Sequence, residues 1–144
     1  MADDFEADWN EAVGKLGAEL VGAVEEAIAE GAREARSTHR FVNRTGDAES
    51  SIEPFLQRVT SNGAEGLIEC SVPYAAVLAD GSKPHRIEPR KAAVLRFQVG
   101  GRWVSSHGVD HPGTRPDPFM DNALAKAEIV LDACIATAID KAFP

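Results

Sequence analysis

The chain has 144 residues, of which 44% are hydrophobic and 26% are charged, and this is typical of a globular protein with one modest core. No apolar run approaches the ~20 residues that a membrane span needs, and the acidic N-terminus lacks the basic start of a signal peptide. We therefore expect a protein made in the cytoplasm, with no membrane partner. The net charge of −8 argues against nucleic-acid binding through a basic face.

The first predicted element is one long helix, from residue 3 to about residue 36. Its large apolar residues recur at spacings of three and four and therefore form one stripe. The stripe consists of Phe5, Trp9, Val13, Leu16, Leu20, Val24 and Ile28.

Four glycines lie in this segment, and each costs about 1 kcal/mol relative to Ala in a helix. They indicate either close approach to another element or a helix that is ordered only when packed. A helix this long exceeds what a small domain covers, so we expect its first turns to pack on a neighbouring copy.

A polar loop and a hairpin follow this helix. Residues 37–50 are polar and predict the loop. Residues 51–59 and 66–72 predict two strands, joined by the turn at Ser61-Asn62-Gly63. Pro54 indicates an edge strand or a bulge, because proline donates no hydrogen bond to a sheet.

The middle of the chain predicts a short helix and a second hairpin. Residues 73–81 begin with proline and end with glycine, which is typical of a short helix. Residues 82–90, named the connection here, are polar and bounded by proline. The runs 93–99 and 102–105 predict two strands, because Gly100-Gly101 between them is a strong two-residue turn signal.

Residues 111–120, named the arm here, form the stiffest stretch of the sequence. Prolines hold φ near one value and push the residue before them out of the α region. Gly113 allows one sharp change of direction, and Asp117 can cap a helix that begins at Pro118. We interpret the arm as a contact surface; the alternative is a well-built lead into a helix, without a partner.

The final helix is predicted over residues 118–142 and is rich in alanine. The order of elements predicts an α+β fold: a long N-terminal helix, a small antiparallel sheet of about four strands with a short intervening helix, and a C-terminal helix packed on the sheet. We expect a single domain overall, with the long helix at residues 1–36 in front of an α+β part at residues 37–144.

Charge is distributed unevenly along the chain. Residues 1–36 carry ten acidic side chains and three basic ones, whereas residues 81–116 carry seven basic side chains and two acidic ones. Unlike patches on one chain suit head-to-tail contacts between copies, since they steer and register an interface. An uneven solvated surface is the alternative.

One local cluster has metal-ligand chemistry. His107 and His111 could bind a metal ion together, with Asp110 or His85 as a third ligand. The spacing of four between the two histidines suits a helix, whereas the neighbouring glycines favour a loop. Hydrogen-bonding or solvated imidazoles are therefore the more ordinary interpretation, and we predict no metal site.

Other catalytic patterns are missing from the sequence. Neither a nucleophile elbow, a triad, nor a glycine-rich phosphate loop can be identified. Cys70 and Cys134 are expected to be reduced and buried, without a disulfide framework. We therefore predict that the protein is not an enzyme and has no cofactor.

Three segments together resemble a family of neck and minor tail proteins of tailed bacteriophages. They are Arg44-Thr45-Gly46 followed by Ser50-Ser51-Ile52; Tyr74-Ala75 followed by Asp80-Gly81-Ser82 and Pro84-His85-Arg86-Ile87; and Val109 to Met120. The likeness covers about residues 37–142, and the order and spacing of the segments carry it. Ser82 stands where this family usually has threonine, and Asp80 where it has glutamate.

The resemblance implies a structural protein of the head-to-tail connection or tail completion apparatus. Such a protein forms a homo-oligomeric ring, six-fold or twelve-fold, between a connector or stopper ring and the tail tube. DNA passes through the lumen without specific binding. The resemblance implies localisation in the virion after assembly in the host cytoplasm, on the head side or the tail side of the neck.

The connection and the arm are the expected contact segments. The expected interface residues are His85, Arg86, His111, Pro112, Gly113, Thr114, Arg115 and Pro116. Tyr74, Phe119 and Met120 are expected to anchor these segments to their own core. Two other hypotheses stay open: a small metal-dependent hydrolase using His85, His107, Asp110 and His111, and a cytoplasmic adaptor unrelated to phages.

Overall fold

The computed structural model describes residues 1–143 and has an α+β fold. Its helices are α1 (Ala2–Thr38), α2 (Asp47–Ser50), α3 (Ala75–Asp80) and α4 (Phe119–Ala142). Its strands are β1 (Ile52–Thr60), β2 (Gly63–Cys70), β3 (His85–Ile87), β4 (Leu95–Val99), β5 (Arg102–Ser106) and β6 (Val109–His111). The predicted fold class is confirmed: a long first helix, small antiparallel sheets and a closing helix.

The strands of residues 1–143 form three two-stranded sheets, β1–β2, β3–β6 and β4–β5, and all pairs are antiparallel. The sequence predicts about four strands in one sheet, so the arrangement differs in number and grouping. The two additional strands, β3 and β6, are only three residues long. Three residues are too few to show the alternation of apolar and polar side chains by which a strand is identified.

The chain divides into two compact units. Unit 1 contains residues 1–75 and the C-terminal residues from 118, and unit 2 contains residues 76–117. Unit 1 therefore holds α1, β1, β2 and α4, and unit 2 holds β3 to β6. The single domain expected from the sequence stays a prediction.

In unit 1, α4 packs antiparallel along α1 and also contacts β2. Contacts at both ends give this direction: Lys141 Nζ lies 3.0 Å from a carboxylate oxygen of Glu19, and Gly31 faces Ala123. A Cβ atom on Gly31 would lie 2.6 Å from the carbonyl oxygen of Ala123, so this glycine permits close approach of the two helices. Alanines form most of the buried layer between them: Ala23, Ala27, Ala32, Ala35, Ala123, Ala127 and Ala138.

The predicted apolar stripe of α1 is covered unevenly. Ile28 is buried, whereas Phe5, Trp9 and Val13 are 71%, 52% and 42% exposed. The C-terminal end of α4 reaches the level of Trp9, where the ring of Phe143 lies 5.8 Å from the indole. The first turns of α1 therefore present large apolar side chains that the described residues cover only in part.

The segment predicted as a loop, residues 37–50, contains helical structure at both ends. α1 continues to Thr38, and α2 forms one turn after Gly46, which has φ of +84°. The hydroxyl oxygen of Thr45 accepts a hydrogen bond from the backbone N–H of Asp47, and Ala48 is buried. A local side-chain to backbone hydrogen bond and the left-handed Gly46 thus accompany a short helix where polarity alone predicts a loop. Within residues 1–143, no helix combines the length and apolar character that crossing a membrane requires.

Candidate subunit interface

In unit 2, the connection and the arm pair with each other. β3 and β6 form an antiparallel ladder in which His85 faces His111, Arg86 faces Asp110, and Ile87 faces Val109. The sequence predicts that both are contact segments but does not link one to the other. The structure places them side by side in one ribbon, which we define as residues 82–87 and 109–116.

Backbone hydrogen bonds extend this pairing beyond the two strands. The N–H of Ser82 donates to the carbonyl of Thr114 at 2.9 Å, and the N–H of Thr114 donates to the carbonyl of Ser82 at 3.0 Å. At the end of the arm, the N–H of Asp117 lies 3.1 Å from the carbonyl oxygens of Leu78 and Ala79 in α3. The arm is therefore held along its length by backbone contacts of its own unit.

Two glycines make this close pairing sterically feasible. Gly81 has φ of +73° and Gly113 has φ of +88°, a region that residues with a Cβ rarely adopt. A Cβ atom on Gly113 would collide with the carbonyl oxygen of Ser82 and lie 3.0 Å from the carbonyl carbon of Lys83. Both the backbone angle and the available space thus require glycine at this bend of the arm.

The two histidines of the ribbon lie next to each other, with ring centroids 5.1 Å apart. His85 Nδ1 donates to the carbonyl oxygen of Lys83 at 2.9 Å, because a carbonyl can only accept. His111 Nδ1 accepts from the N–H of Gly113 at 3.0 Å, because an amide N–H can only donate. Each imidazole is thereby oriented by the backbone of its own segment, and the two rings carry different tautomers when neutral.

Arg86 crosses the ribbon to the opposite strand. Its Nη1 donates to Asp110 at 3.0 Å and its Nε donates to Glu88 at 3.3 Å. The hydrogen bond to Asp110, together with the negative charge of that carboxylate, raises the pKa of the Arg86 guanidinium. A Cβ atom on Gly108 would lie 2.7 Å from Nη2 of Arg86, so a glycine here leaves room for the guanidinium.

The metal-ligand cluster considered in the sequence analysis is assembled only in part. His85 and His111 are adjacent, but the Asp110 carboxylate accepts from Arg86, and His107 lies in the bend after β5. Within residues 1–143, no group of three or more His, Cys, Asp or Glu side chains is placed to hold a metal ion. What the structure brings together is thus a pair of imidazoles beside an ion pair.

Nearly all of unit 2 is accessible to solvent. Among residues 76–117, Asp117 is the one buried residue, at 4% exposure. Four arm residues, Pro112, Thr114, Arg115 and Pro116, are exposed. Two-stranded sheets without a buried apolar layer are marginally stable by themselves. Unit 2 thus has a defined backbone but no apolar core of its own in the single chain.

The three expected anchor residues all belong to unit 1 and differ in their burial. Phe119 is fully buried, and its ring meets that of Phe41 edge-on at 5.2 Å between centroids. Met120 is partly buried, whereas Tyr74 is 44% exposed. The expectation of an anchoring role is consistent with the burial of Phe119, and for the half-exposed Tyr74 it stays a prediction.

One exposed aromatic residue, Trp103, lies outside the predicted contact segments. Trp103 in β5 is 63% exposed, and the guanidinium of Arg96 lies over its ring at 5.5 Å from the centroid. The sequence does contain a signal, because Trp103 and Val104 are consecutive and a strand directs consecutive side chains to opposite faces. A single two-stranded sheet therefore cannot bury both side chains against one layer.

Comparisons of this chain with protein-family models, with curated proteins and with solved structures found no match.

Proposed function

We propose that the protein is a structural component of the head-to-tail connection of a tailed bacteriophage. It forms a homo-oligomeric ring, six-fold or twelve-fold, around a channel through which DNA passes without specific binding. It acts by protein–protein contact with neighbouring copies, with the adjacent connector or stopper ring and with the tail tube. It is assembled in the host cytoplasm and resides in the virion.

The observation that carries this proposal is the ribbon. Both segments expected to contact other subunits lie side by side, are fixed by backbone hydrogen bonds, and expose most of their side chains. A surface that is already ordered loses less conformational entropy when it binds, and this favours a role in assembly. The absence of a buried apolar layer in unit 2 gives a second reason for a partner, since contact with another chain would supply the missing burial.

The charge pattern supports a ring in particular. A closed ring uses a heterologous interface, in which two different surfaces of the same chain meet. The acidic residues 1–36 and the basic residues 81–116 provide two such unlike surfaces. Identical surfaces in contact would place like charges against each other, which is unfavourable.

Native mass spectrometry tests the proposal, first on the purified chain and then after mixing with portal and tail-tube proteins. The expected result is a closed ring or a defined complex with one of these proteins. Arg115→Glu in the arm should weaken that assembly, whereas Arg58→Glu, an equally charged change at an exposed position of β1, should not. Only monomer under every condition would contradict the proposal.

The metal-dependent hydrolase stays an alternative prediction, and the proximity of His85 and His111 is the observation that favours it. Elemental analysis of the purified protein separates the two functions. The hydrolase requires a stoichiometric metal ion that is lost in both His85→Ala and His111→Ala. The ring protein requires no such ion.

A further inference from the structure

The first turns of α1 carry an apolar face with an acidic border. Phe5, Trp9 and Val13 are exposed to 71%, 52% and 42% on one side of the helix. Residues 1–13 contain five acidic side chains and no basic one. Large apolar side chains in such a row are typical of a surface that contacts another protein.

The β4–β5 hairpin of unit 2 carries the complementary surface. Around its tip, Trp103 is 63% exposed on one face, whereas Val99 and Val104 are 58% and 38% exposed on the opposite face. Residues 90–106 contain four basic side chains and no acidic one. Tryptophan and arginine together are the residue types most enriched where binding energy concentrates, and Arg96 already lies over Trp103.

The shape of the hairpin tip is set by its turn. Gly100 and Gly101 both have positive φ, +56° and +80°, and Val99 pairs with Arg102 across them. This is the two-residue turn whose twist matches that of the flanking strands. The tip thus presents its apolar and basic side chains from an ordered backbone.

The charges decide which surface meets which. Two helix faces in contact would oppose acidic side chains, and two hairpins in contact would oppose basic ones. Only the unlike pairing combines apolar burial with electrostatic attraction. Since both surfaces belong to the same chain, the partner that fits each of them is a second copy.

We propose that the acidic apolar face of α1, at residues 5–13, docks on the basic β4–β5 hairpin tip of a neighbouring copy. This inference rests on the proposed ring and assigns the contact between adjacent subunits in it. The contact is heterologous, so each copy offers one free helix face and one free hairpin to the next until the ring closes.

Charge reversal on each side, followed by mixing, tests the docking. The helix variant is Glu6→Lys with Asp8→Lys, and the hairpin variant is Arg96→Glu with Arg102→Glu. Each variant alone opposes like charges, so its self-association, measured by sedimentation velocity, should weaken about tenfold or more. An equimolar mixture restores the unlike pairing at every contact and should assemble like the wild-type protein. Recovery in the mixture also shows that both variants are folded.

Two matched controls accompany these variants. Glu128→Lys with Asp132→Lys changes charge by the same amount at exposed positions of α4 and should leave assembly unchanged. Phe5→Ser should weaken assembly about tenfold or more, whereas Ile129→Ser, at 68% exposure, should not.

The outcomes separate this inference from the function on which it rests. If the wild-type chain assembles but the charge variants assemble equally well, or if the mixture fails to recover, the docking is wrong and the ring proposal stands. If the wild-type chain stays monomeric, the docking is wrong. If that chain also binds neither portal nor tail-tube proteins, the proposed function is wrong as well.

Discussion

Replacing Gly113 by alanine is expected to detach the arm from the connection without unfolding unit 1. Gly113 has φ of +88°, and its position beside the carbonyl of Ser82 leaves no space for a methyl group. The substitution therefore adds both backbone strain and a steric collision at the point where the arm bends. Helices α1 and α4 belong to the other unit and should keep their structure.

The size of the effect of Gly113→Ala on the ribbon follows from two free-energy costs, backbone strain and steric collision. A residue with a Cβ in the left-handed region costs about 1–2 kcal/mol. Forcing a methyl group into a filled space costs about 1–3 kcal/mol more. Since 1.4 kcal/mol corresponds to a factor of ten, a combined cost of about 3 kcal/mol should raise the opening equilibrium of the ribbon more than 100-fold.

Hydrogen exchange at single residues measures this opening. The amides of Ser82 and Thr114 are the reporters, because each donates to the carbonyl of the other residue. Gly100→Ala is the matched control: Gly100 lies in the same unit, also has positive φ, and has no other atom within 4 Å of its added Cβ. It should accelerate exchange at Thr114 much less than Gly113→Ala does.

Exchange at Thr114 that is no faster in Gly113→Ala than in Gly100→Ala would refute the reasoning. That result would mean that the close approach of the arm to Ser82 contributes nothing to holding the ribbon. A loss of helical circular dichroism in Gly113→Ala would likewise contradict the expectation that unit 1 keeps its structure.

Three further predictions concern unit 1. Phe119→Ala should lower the free energy of unfolding by about 3–5 kcal/mol in urea, because the ring is fully buried. Gly31→Ala should lower the free energy of unfolding by about 1–3 kcal/mol, because the new Cβ would lie 2.6 Å from a carbonyl oxygen of α4. Gly22→Ala, whose Cβ would lie in open space, should raise the free energy of unfolding by about 1 kcal/mol. Burial, and then the hydrogen bond to Glu26, raises the pKa of the Cys134 thiol. Alkylation of Cys134 at pH 8 should therefore be slower than alkylation of a free thiol, and the Glu26→Gln variant should react faster than the wild-type protein.

Each of these predictions has an outcome that contradicts it. Leu124→Ala, at 58% exposure on the same helix, is the control for Phe119→Ala, and equal losses would argue against a buried ring. Equal effects at Gly31 and Gly22 would show that the two helices are not in close contact. An alkylation rate at Cys134 that matches a free thiol would show that burial does not suppress its ionisation.

The sequence predicts the elements that have a clear periodicity or a strong terminal signal. The long first helix, the turn at Gly100-Gly101 and the end of α3 at Gly81 agree with the structure. α4 begins at Phe119, with Pro118 as its N-cap residue, one residue later than predicted. At Gly81 and at Gly100-Gly101 a glycine with positive φ fixes the local backbone, whereas the long helix follows from its periodicity.

The pairing of the ribbon could not be predicted, although both of its segments were identified. β3 and β6 are far apart in the sequence and three residues long, so neither local propensity nor periodicity links His85 to His111. The sequence does predict that the first turns of α1 extend beyond what a small domain covers, and the exposure of Phe5 and Trp9 agrees with this expectation. Periodicity alone shows which side of a helix is apolar but not how far the covering helix extends.

An image reconstruction of the assembled ring or particle tests the central claim most directly. The account predicts density from another chain against the arm, with Pro112, Thr114 and Arg115 covered, although they are exposed in the single chain. An arm that stays open to solvent on every copy, with no other chain in contact with residues 111–116, would contradict it.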